Sequence, residues 1–281
     1  MSVAAESAAP QQAMLTVDSV TLRFGGVTSL ADVSLTQTRG EILAVIGPNG
    51  AGKTSLFNCL AGVYHPDEGR IVFSPEGREP VSLVGRRPDH ITQLGIARTF
   101  QNIRLFNALT AFENVKIGLE SRQKTGPVGA MLRLPRTRRE EREGDERARE
   151  LLAFVGLRGR GDNLASALAY GEQRRLEIAR ALGTNPWLLL LDEPAAGTNP
   201  REKQDLEALI RRIRDDLGMT VLLIEHDMRL VMALADRVVV LNFGKVIASG
   251  TPAEVQRHPA VVEAYLGSPG GTPGEGPERP S

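Results

Sequence analysis

The chain has 281 residues, 41% hydrophobic and 24% charged, which suits one large α/β domain with a subdomain and a filled core. Its 34 basic and 34 acidic residues balance, so it lacks the overall positive charge typical of nucleic-acid binders and polybasic membrane anchors. No apolar run approaches the roughly 20 residues of a spanning helix, and the N-terminus lacks the pattern of a secretory signal. We therefore expect a chain that does not cross a membrane.

Both ends of the chain are predicted to lie outside the folded domain. Residues 1–12 are mostly Ala, Ser and Gln, and residues 267–281 are mostly Gly, Pro, Ser and Glu. Such segments have too few apolar groups to offset the entropy lost on ordering them. We expect one domain over residues 13–266, flanked by two disordered tails.

The first predicted elements are an antiparallel layer and a phosphate-binding loop. Residues 14–24 and 28–37 alternate apolar with polar side chains, as half-exposed strands do, with Gly25 and Gly26 between them. A buried strand over 41–46 and a helix start over 54–60 then flank a stretch that fits the P-loop pattern G-x-x-x-x-G-K-[ST] without a mismatch. That stretch is Gly47-Pro48-Asn49-Gly50-Ala51-Gly52-Lys53-Thr54.

The P-loop residue types suit a nucleoside triphosphate. The glycines permit backbone conformations that turn N–H groups inward, toward the positive end of the following helix. Lys53 is predicted to reach the β- and γ-phosphates, and the Thr54 hydroxyl to bind a Mg²⁺ ion bridging them. The alternative, a glycine-rich turn without a ligand, is disfavoured because strand, loop, Lys-Thr pair and helix all occur together.

The single cysteine, Cys59, falls on the apolar side of the helix after the P-loop. This position predicts a buried thiol in a reducing compartment, the cytosol, and one cysteine excludes an intrachain disulfide.

A helical lobe over about 102–167 is predicted to interrupt the sheet. It follows a strand over 69–74, a helix over 88–94 and a strand over 95–100, and it contains helices over 111–123 and 138–155 with a turn at 126–129. Basic and acidic residues alternate over 136–143, with opposite charges four apart at Arg139/Glu143 and Arg142/Glu146. A solvated helix face explains this run better than a nucleic-acid patch does.

Strands alternate with helices beyond the lobe. Strands are predicted over 187–191, 220–225 and 237–241, and helices over 171–182, 200–217 and 227–235, an order typical of a parallel sheet with βαβ crossovers. The helix from Pro200 has Asn199 as its candidate N-cap and Glu202 at its third position.

Two carboxylates, Asp192 and Glu193, follow the apolar strand over 187–191. Ligands of open α/β sheets gather at the carboxyl ends of strands, where the P-loop also lies. Asp192 is predicted to hold Mg²⁺ through water, and Glu193 to orient or deprotonate the attacking water. An Asp-Glu turn without function is the alternative, which the neighbouring P-loop disfavours.

Residues 168–182, Leu-Ala-Tyr-Gly-Glu-Gln-Arg-Arg-Leu-Glu-Ile-Ala-Arg-Ala-Leu, resemble the signature of ATP-binding-cassette (ABC) ATPases. Together with Gln101, the Ala-Gly-Thr-Asn run at 196–199 and His226, the order of motifs matches that family from about Leu15 to Leu266. The implied fold is an α/β P-loop NTPase cassette with an antiparallel β layer and a helical subdomain. Segments 23–26, 98–106, 168–171, 224–228, 250–252 and 264–267 look more narrowly like ATP-binding subunits of bacterial branched-chain amino acid importers.

The resemblance assigns roles to individual residues. Phe24 would stack on adenine, although a lone Phe is as often part of a core. His226 would bind the γ-phosphate, and Gln101 would contact Mg²⁺ or the attacking water. The implied catalytic residues are Glu193, His226 and Gln101, and the implied metal ligands are Thr54, Gln101 and Asp192. The implied nucleotide-binding residues are Phe24, Gly47, Pro48, Asn49, Gly50, Ala51, Gly52, Lys53, Thr54, Ser55, Ala169, Tyr170, Gly171 and Glu172, the last four capping the nucleotide of a second subunit.

Two departures from the commonest cassette pattern stand out. Ala169 and Tyr170 replace Ser and Gly, as they also do in the amino acid importer branch. Thr198 and Asn199 replace Leu and Asp, which affects contacts across a dimer but leaves Lys53 and the carboxylates in place.

The resemblance implies an ATPase subunit at the cytoplasmic face of the membrane, with ATP and Mg²⁺ as cofactors. Its expected partners are membrane permease subunits, a second ATP-binding subunit in a homo- or heterodimer, and indirectly a solute-binding protein, with no nucleic acid. Branched-chain amino acids are the expected solute, with urea or amides, or lipopolysaccharide export, as alternatives. A soluble ABC protein acting on nucleic acid or ribosomes is disfavoured by the single cassette and the lack of a basic stripe, and a P-loop kinase by the signature and His226.

A possible permease contact follows Gln101. Ile103, Leu105, Phe106 and Leu109 lie between that residue and the helical lobe. These apolar side chains belong either to the lobe's own core or to a groove for the cytoplasmic helix of a permease, as the family resemblance implies.

Deleting residues 1–12 and 267–281 should leave the ATPase rate and the melting temperature within error, because neither tail has the apolar residues to dock. Each deletion is compared singly with the full chain. A clear fall in melting temperature on removing either segment would show that it packs on the domain.

Overall fold

A computed structural model describes residues 13–120 and 135–266. The predicted tails, the turn at 126–129 and the end of the helix predicted over 111–123 lie outside these ranges. The strands of the described part are β1 (Ala13–Phe24), β2 (Val27–Thr38), β3 (Ile42–Ile46), β4 (Glu68–Phe73), β5 (Val81–Ser82), β6 (Ile96–Arg98), β7 (Leu188–Asp192), β8 (Thr220–Ile224), β9 (Arg237–Asn242) and β10 (Lys245–Gly250).

The helices follow the predicted order, with a few boundary differences. They are α1 (Lys53–Leu60), α2 (Pro88–Leu94), α3 (Ala111–Glu120), α4 (Pro135–Phe154), α5 (Tyr170–Gly183), α6 (Pro200–Asp215), α7 (Met228–Leu234), α8 (Pro252–Gln256) and α9 (Pro259–Leu266), with a 3₁₀ turn at Ala165–Ala167. Among the helices that the structure describes, none combines the length and apolar character needed to cross a membrane.

The described strands form two sheets. A four-stranded antiparallel sheet has the order β2-β1-β4-β5, which confirms the predicted antiparallel layer. A six-stranded sheet has the order β10-β9-β3-β8-β7-β6, with parallel pairing from β9 to β6 and an antiparallel edge strand β10. Every residue of β3, β7 and β8 is buried, which explains their continuous apolar sequences. The carboxyl ends of these three central strands therefore meet at one edge.

The helical lobe packs against the sheet through a continuous core. Buried residues of α3, α4 and α5, including Val115, Leu151 and Leu176, belong to one cluster with Leu189 of β7 and Leu223 of β8. Helices α3 and α5 approach closely, because a Cβ atom added to Gly118 would lie 2.2 Å from the Arg180 carbonyl oxygen. Helix α5 follows the lobe and shares this core with both the lobe helices and the strands, so it joins the lobe to the sheet.

Several sequence predictions needed correction. The strand predicted over 95–100 has only three residues, Ile96–Arg98, and the helix predicted over 138–155 begins at Pro135. Strands β5 and β10 and helices α8 and α9 were not predicted. The two-residue strand Val81–Ser82 has no periodicity that a sequence pattern can detect.

Two local predictions are confirmed. Cys59 is buried, and burial raises the pKa of its thiol to about 12. On helix α4, Arg139 Nε lies 2.8 Å from Glu143 Oε1, and both side chains are exposed. This part of the charged run is therefore a solvated helix face with an ion pair between residues four apart.

Asn199 caps helix α6 as predicted. Its side chain accepts hydrogen bonds from the N–H groups of Arg201 and Glu202, each at 3.0 Å. Glu202 Oε2 in turn accepts from Asn199 N at 2.9 Å, which completes a capping box.

Asn199→Ala should lower the free energy of unfolding by about 1 kcal/mol, because two helix N–H groups lose their acceptor. Equilibrium urea denaturation measures the difference. Asn199→Asp retains the acceptor and is the matched control. A change of less than about 0.3 kcal/mol for the alanine variant would show that water replaces the cap without cost.

Candidate functional site

Close packing from both sheets determines the shape of the P-loop. Gly47 has φ 152° and Gly52 has φ 101°. A Cβ atom would lie 2.1 Å from the Leu241 carbonyl oxygen at Gly47, and 2.7 Å from the Ser29 carbonyl oxygen at Gly52. These positions admit glycine alone, so β9 and β2 hold the loop in one conformation.

Helix α1 begins directly after this loop and has no side-chain cap. Its N-cap residue is Gly52, which has no side chain to accept a hydrogen bond. By contrast, α6 and α8 start with capping boxes built from Asn199 and Thr251. The first N–H groups of α1 are thus left for an acceptor from outside the chain, which suits a phosphate oxygen.

Lys53 lies folded over the loop. Its ammonium donates to the carbonyl oxygens of Gly47 at 2.7 Å and Pro48 at 3.0 Å, and the residue is buried. Burial lowers the pKa of Lys53, while the carboxylates of Glu193 and Asp192 act in the opposite direction. The Lys53 ammonium therefore contacts the loop and lies within electrostatic reach of the two carboxylates.

Asp192, at the end of β7, is buried and paired with an arginine. Its Oδ2 atom lies 2.8 Å from Arg98 Nη2, and Arg98 Nη1 also donates to Asn58 Oδ1 at 2.6 Å. The sequence prediction missed Arg98, although its place at the end of neighbouring strand β6 puts it beside Asp192. Arg98 compensates the negative charge of Asp192 and fixes its orientation.

Glu193 meets both of the other predicted catalytic residues. Its Oε2 atom accepts a hydrogen bond from Gln101 Nε2 at 2.8 Å and lies 3.6 Å from His226 Nδ1. Glu193 has φ 44°, a left-handed conformation that is costly for a residue with a side chain. Such strain is retained where the surrounding structure imposes it, and it clusters at functional sites.

A second glutamate orders the loop that carries His226. Glu225 is fully buried, and it accepts hydrogen bonds from the N–H groups of Ala195, His226 and Asp227. Burial raises the pKa of Glu225, and these hydrogen bonds oppose the shift. Glu225 thereby ties the loop after β7 to the loop after β8, a role that its position at a strand end did not reveal.

Phe24 lies at the end of β1 with 47% of its surface exposed, so it is not a core residue. Its ring makes a T-shaped contact with the ring of Tyr64, with centroids 5.1 Å apart and planes at 74°. Of the remaining loop residues, Asn49, Gly50 and Thr54 are exposed, and Ser55 Oγ lies 2.7 Å from Ser29 Oγ.

The signature residues lie at the start of α5. Glu172 Oε2 accepts from Ala169 N at 3.1 Å, which is half of a capping box because Ala169 has no side-chain acceptor. A Cβ atom on Gly171 would lie 2.5 Å from Glu202 Oε1, so glycine permits α5 to approach the capped start of α6. Tyr170 reaches the loop after Glu193, where its hydroxyl donates to the Ala196 carbonyl oxygen at 3.1 Å.

Tyr265 of α9 also contacts the P-loop. Burial raises the pKa of its phenol, and a hydrogen bond with the Gly47 backbone opposes the shift. No local pattern links residue 265 to residue 47, so the sequence prediction missed this contact.

Family comparisons agree with this geometry. The ABC transporter family matches residues 30–196, which is more than half of the chain. The chain belongs to the ABC transporter family. A second family, the branched-chain amino acid ATP-binding cassette transporter, matches residues 245–270 of this ABC protein. The predicted family and the predicted α/β cassette fold are confirmed.

Relatives of known role match the ABC chain over nearly their whole length. It is 45% identical over 256 residues to the high-affinity branched-chain amino acid transport ATP-binding protein LivG of Salmonella typhimurium, covering 91% of this chain and 98% of LivG. It is 46% identical over 254 residues to BraF of Pseudomonas aeruginosa, which carries the same description, covering 90% of this chain and 98% of BraF. A crystal structure of the ADP conformation of an ABC transporter cassette matches with a TM-score of 0.78 and 31% identity, covering 92% of this chain and all of that one.

Proposed function

We propose that this ABC protein is the ATP-hydrolysing subunit of an importer for branched-chain amino acids. The observation that carries the ATPase part is the meeting of Gln101, Glu193 and His226 beside the P-loop lysine. The solute follows from the relatives, because LivG and BraF share about 45% of their residues with this chain across nearly their full lengths. The C-terminal family match supports the same solute.

The triphosphate would bind in the P-loop, with Lys53 leaving the carbonyl oxygens of Gly47 and Pro48 to reach the β- and γ-phosphates. The uncapped N–H groups of α1 would donate hydrogen bonds to the phosphate oxygens. Phe24 would offer its exposed face to adenine, steadied by Tyr64 at its side.

The residues beside the phosphates also fit Mg²⁺, which prefers hydroxyl, carboxylate and amide oxygens. The Thr54 hydroxyl would ligate the ion directly. Asp192 would act through water with its Oδ1 atom, since Arg98 binds the other carboxylate oxygen, Oδ2. Gln101 donates its amide nitrogen to Glu193, which leaves the amide oxygen as the ligand. The ion, when bound, neutralises negative charge on the β- and γ-phosphates.

Glu193 would orient the attacking water and take its proton as the water oxygen forms a bond to the γ-phosphorus. The bond from γ-phosphorus to the bridging oxygen breaks, giving ADP and phosphate. Gln101 and His226 both lie next to the Oε2 atom of Glu193. They would therefore restrict the attacking water to the other side of the carboxylate.

Residues Ala169, Tyr170, Gly171 and Glu172 would face the nucleotide of a second ATP-binding subunit. The start of α5 supports this arrangement, because Ala169 provides no side-chain cap and leaves helix N–H groups for an anion. A homodimer and a heterodimer satisfy this geometry equally. Such a dimer would sit at the cytoplasmic face of the membrane on permease subunits, to which a solute-binding protein delivers the amino acid.

Glu193→Gln should lower the ATPase turnover by about a hundredfold or more, because the water loses its carboxylate. Binding of a fluorescent ATP analogue should persist, since the phosphate loop is unchanged. Lys53→Ala should instead weaken that binding. Glu150→Gln removes an exposed carboxylate on α4 and serves as the control. Near-normal turnover of Glu193→Gln would remove Glu193 from the catalytic role.

Phe106 is the best-placed permease contact of the four apolar residues after Gln101. It is 49% exposed, whereas Leu105 packs on the lobe's core, so a core role is wrong for Phe106 and holds for Leu105. The backbone at Phe106 is fixed by two hydrogen bonds with the Asn114 side chain, and the Arg180 guanidinium lies 5.6 Å above the ring. A rigidly held, exposed aromatic residue suits a protein interface.

Phe106→Ala should preserve the fold and the ATPase rate of the isolated chain while abolishing amino acid uptake in cells or weakening co-purification with the permease. Phe243→Ala is the control, because it removes another exposed ring, 85% exposed, from the turn between β9 and β10. Unfolding of the isolated Phe106→Ala chain would identify Phe106 as a stability residue. Unchanged uptake would exclude it from the permease contact.

A further inference from the structure

Tyr170 joins two segments of the same chain that meet at Glu193. Its hydroxyl donates to the Ala196 carbonyl oxygen and accepts a hydrogen bond from Arg174 Nη2, each at 3.1 Å. Its ring packs on Gly197, where an added Cβ atom would lie 3.2 Å from ring atom Cε1. The tyrosine therefore touches the turn after Glu193 with both its hydroxyl and its ring.

Arg174 continues the connection toward Gln101. The same Nη2 atom donates to the Gln101 carbonyl oxygen at 2.8 Å, and Nη1 donates to the Phe100 carbonyl oxygen at 2.7 Å. Arg174 is 1% exposed, and its charge is balanced by the equally buried Glu177 at 3.3 Å. A buried guanidinium with both terminal nitrogens engaged fixes the backbone to which Gln101 belongs.

These contacts close into a ring through Glu193. The Gln101 side chain donates to Glu193 Oε2 at 2.8 Å, and the Ala196 N–H donates to the Glu193 carbonyl oxygen at 3.1 Å. The path thus runs from Tyr170 to Ala196, Glu193, Gln101 and Arg174, and returns to the tyrosine hydroxyl. Both the backbone and the carboxylate of Glu193 are held by it.

We propose that Tyr170 and Arg174 are positioning residues that set Glu193 and Gln101 for hydrolysis within their own chain. This inference rests on the proposed ATPase function. The left-handed backbone of Glu193 needs restraint from its surroundings, and the ring supplies restraint on two sides of that residue. A glycine at 170, as in the commonest cassette pattern, would leave the Ala196 carbonyl oxygen and Arg174 Nη2 without this partner.

The packing of helix α5 does not depend on the two hydrogen bonds of the Tyr170 hydroxyl. Removing the hydroxyl alone keeps the ring on Gly197 and the stacking of Arg174, whose guanidinium lies 5.8 Å from the ring centroid. Arg174 also keeps its two carbonyl acceptors. Tyr170→Phe therefore isolates the two hydrogen bonds that close the path and leaves the rest of the helix contacts in place.

The test is a double-mutant cycle on the purified full-length chain, with Tyr170→Phe, Gln101→Ala and the double variant. Tyr170→Phe should lower kcat for ATP hydrolysis about fivefold, while KM for ATP stays at the wild-type value because both hydrogen bonds of the hydroxyl lie within its own chain. In the Gln101→Ala background it should lower kcat less than twofold, because the ring is already open. Thr92→Val is the control, since its hydroxyl also donates to a backbone carbonyl, that of Pro88 at 3.1 Å, outside the ring.

A wild-type kcat for Tyr170→Phe would overturn the positioning role, as would an equal loss in both backgrounds. A fall in melting temperature with kcat unchanged would assign the hydroxyl to stability and also overturn it. These outcomes leave the proposed function standing whenever the wild-type chain hydrolyses ATP and Glu193→Gln does not. A wild-type chain that is inactive even in the assembled transporter, with its permease and second ATP-binding subunit, would overturn the proposed function and, with it, the role of the ring in hydrolysis.

Discussion

The contact of two backbone carbonyl oxygens with the P-loop glycines is the constraint on which the site depends. Leu241 O, at the end of β9, and Ser29 O, on β2, leave no room for a Cβ atom at Gly47 and Gly52. Since β9 belongs to the large sheet and β2 to the small one, the loop can take its shape only where both sheets are in place. Binding of phosphate thus depends on the packing of the whole fold and not on the loop sequence alone.

Buried charges near the site serve placement more than stability. The chain has no net charge, yet Arg98 with Asp192 and Arg174 with Glu177 are buried pairs. Burial raises the pKa of Glu177, mainly through desolvation, which shows that this charge is costly to hold. A buried ion pair often adds little to the free energy of folding, because desolvation offsets the attraction. Such pairs do fix the orientation of the side chains around them. Arg98 holds the Asp192 carboxylate, and Arg174 holds the Gln101 carbonyl oxygen.

The features that could be predicted from the sequence are those that a short run of consecutive residues specifies. The P-loop, the apolar strands and the Asn199 cap each occupy a few consecutive residues, so spacing alone reveals them. The partners that orient the site are distant in sequence: Arg98 and Asp192 are 94 residues apart, and Arg174 and Gln101 are 73 apart. An arginine at a strand end or on a helix has no local signal for the carboxylate or carbonyl it will meet. Such pairs follow from the strand order and the helix crossing, which a single sequence does not specify.

The segment over residues 100–109, called the connector, is hydrogen-bonded to side chains of helices α5 and α3 at three places. Arg174 binds the carbonyl oxygens of residues 100 and 101, Glu177 accepts from the N–H of Arg104 at 3.1 Å, and Asn114 holds both backbone groups of Phe106. Helices α5 and α3 therefore carry the connector as part of one body, because a segment anchored at three points cannot move alone. If ATP binding displaces Gln101, the displacement must include these helices, and the exposed Phe106 ring moves with them. The same contacts that position Gln101, the proposed catalytic glutamine, would thus transmit its movement to the surface proposed for the permease.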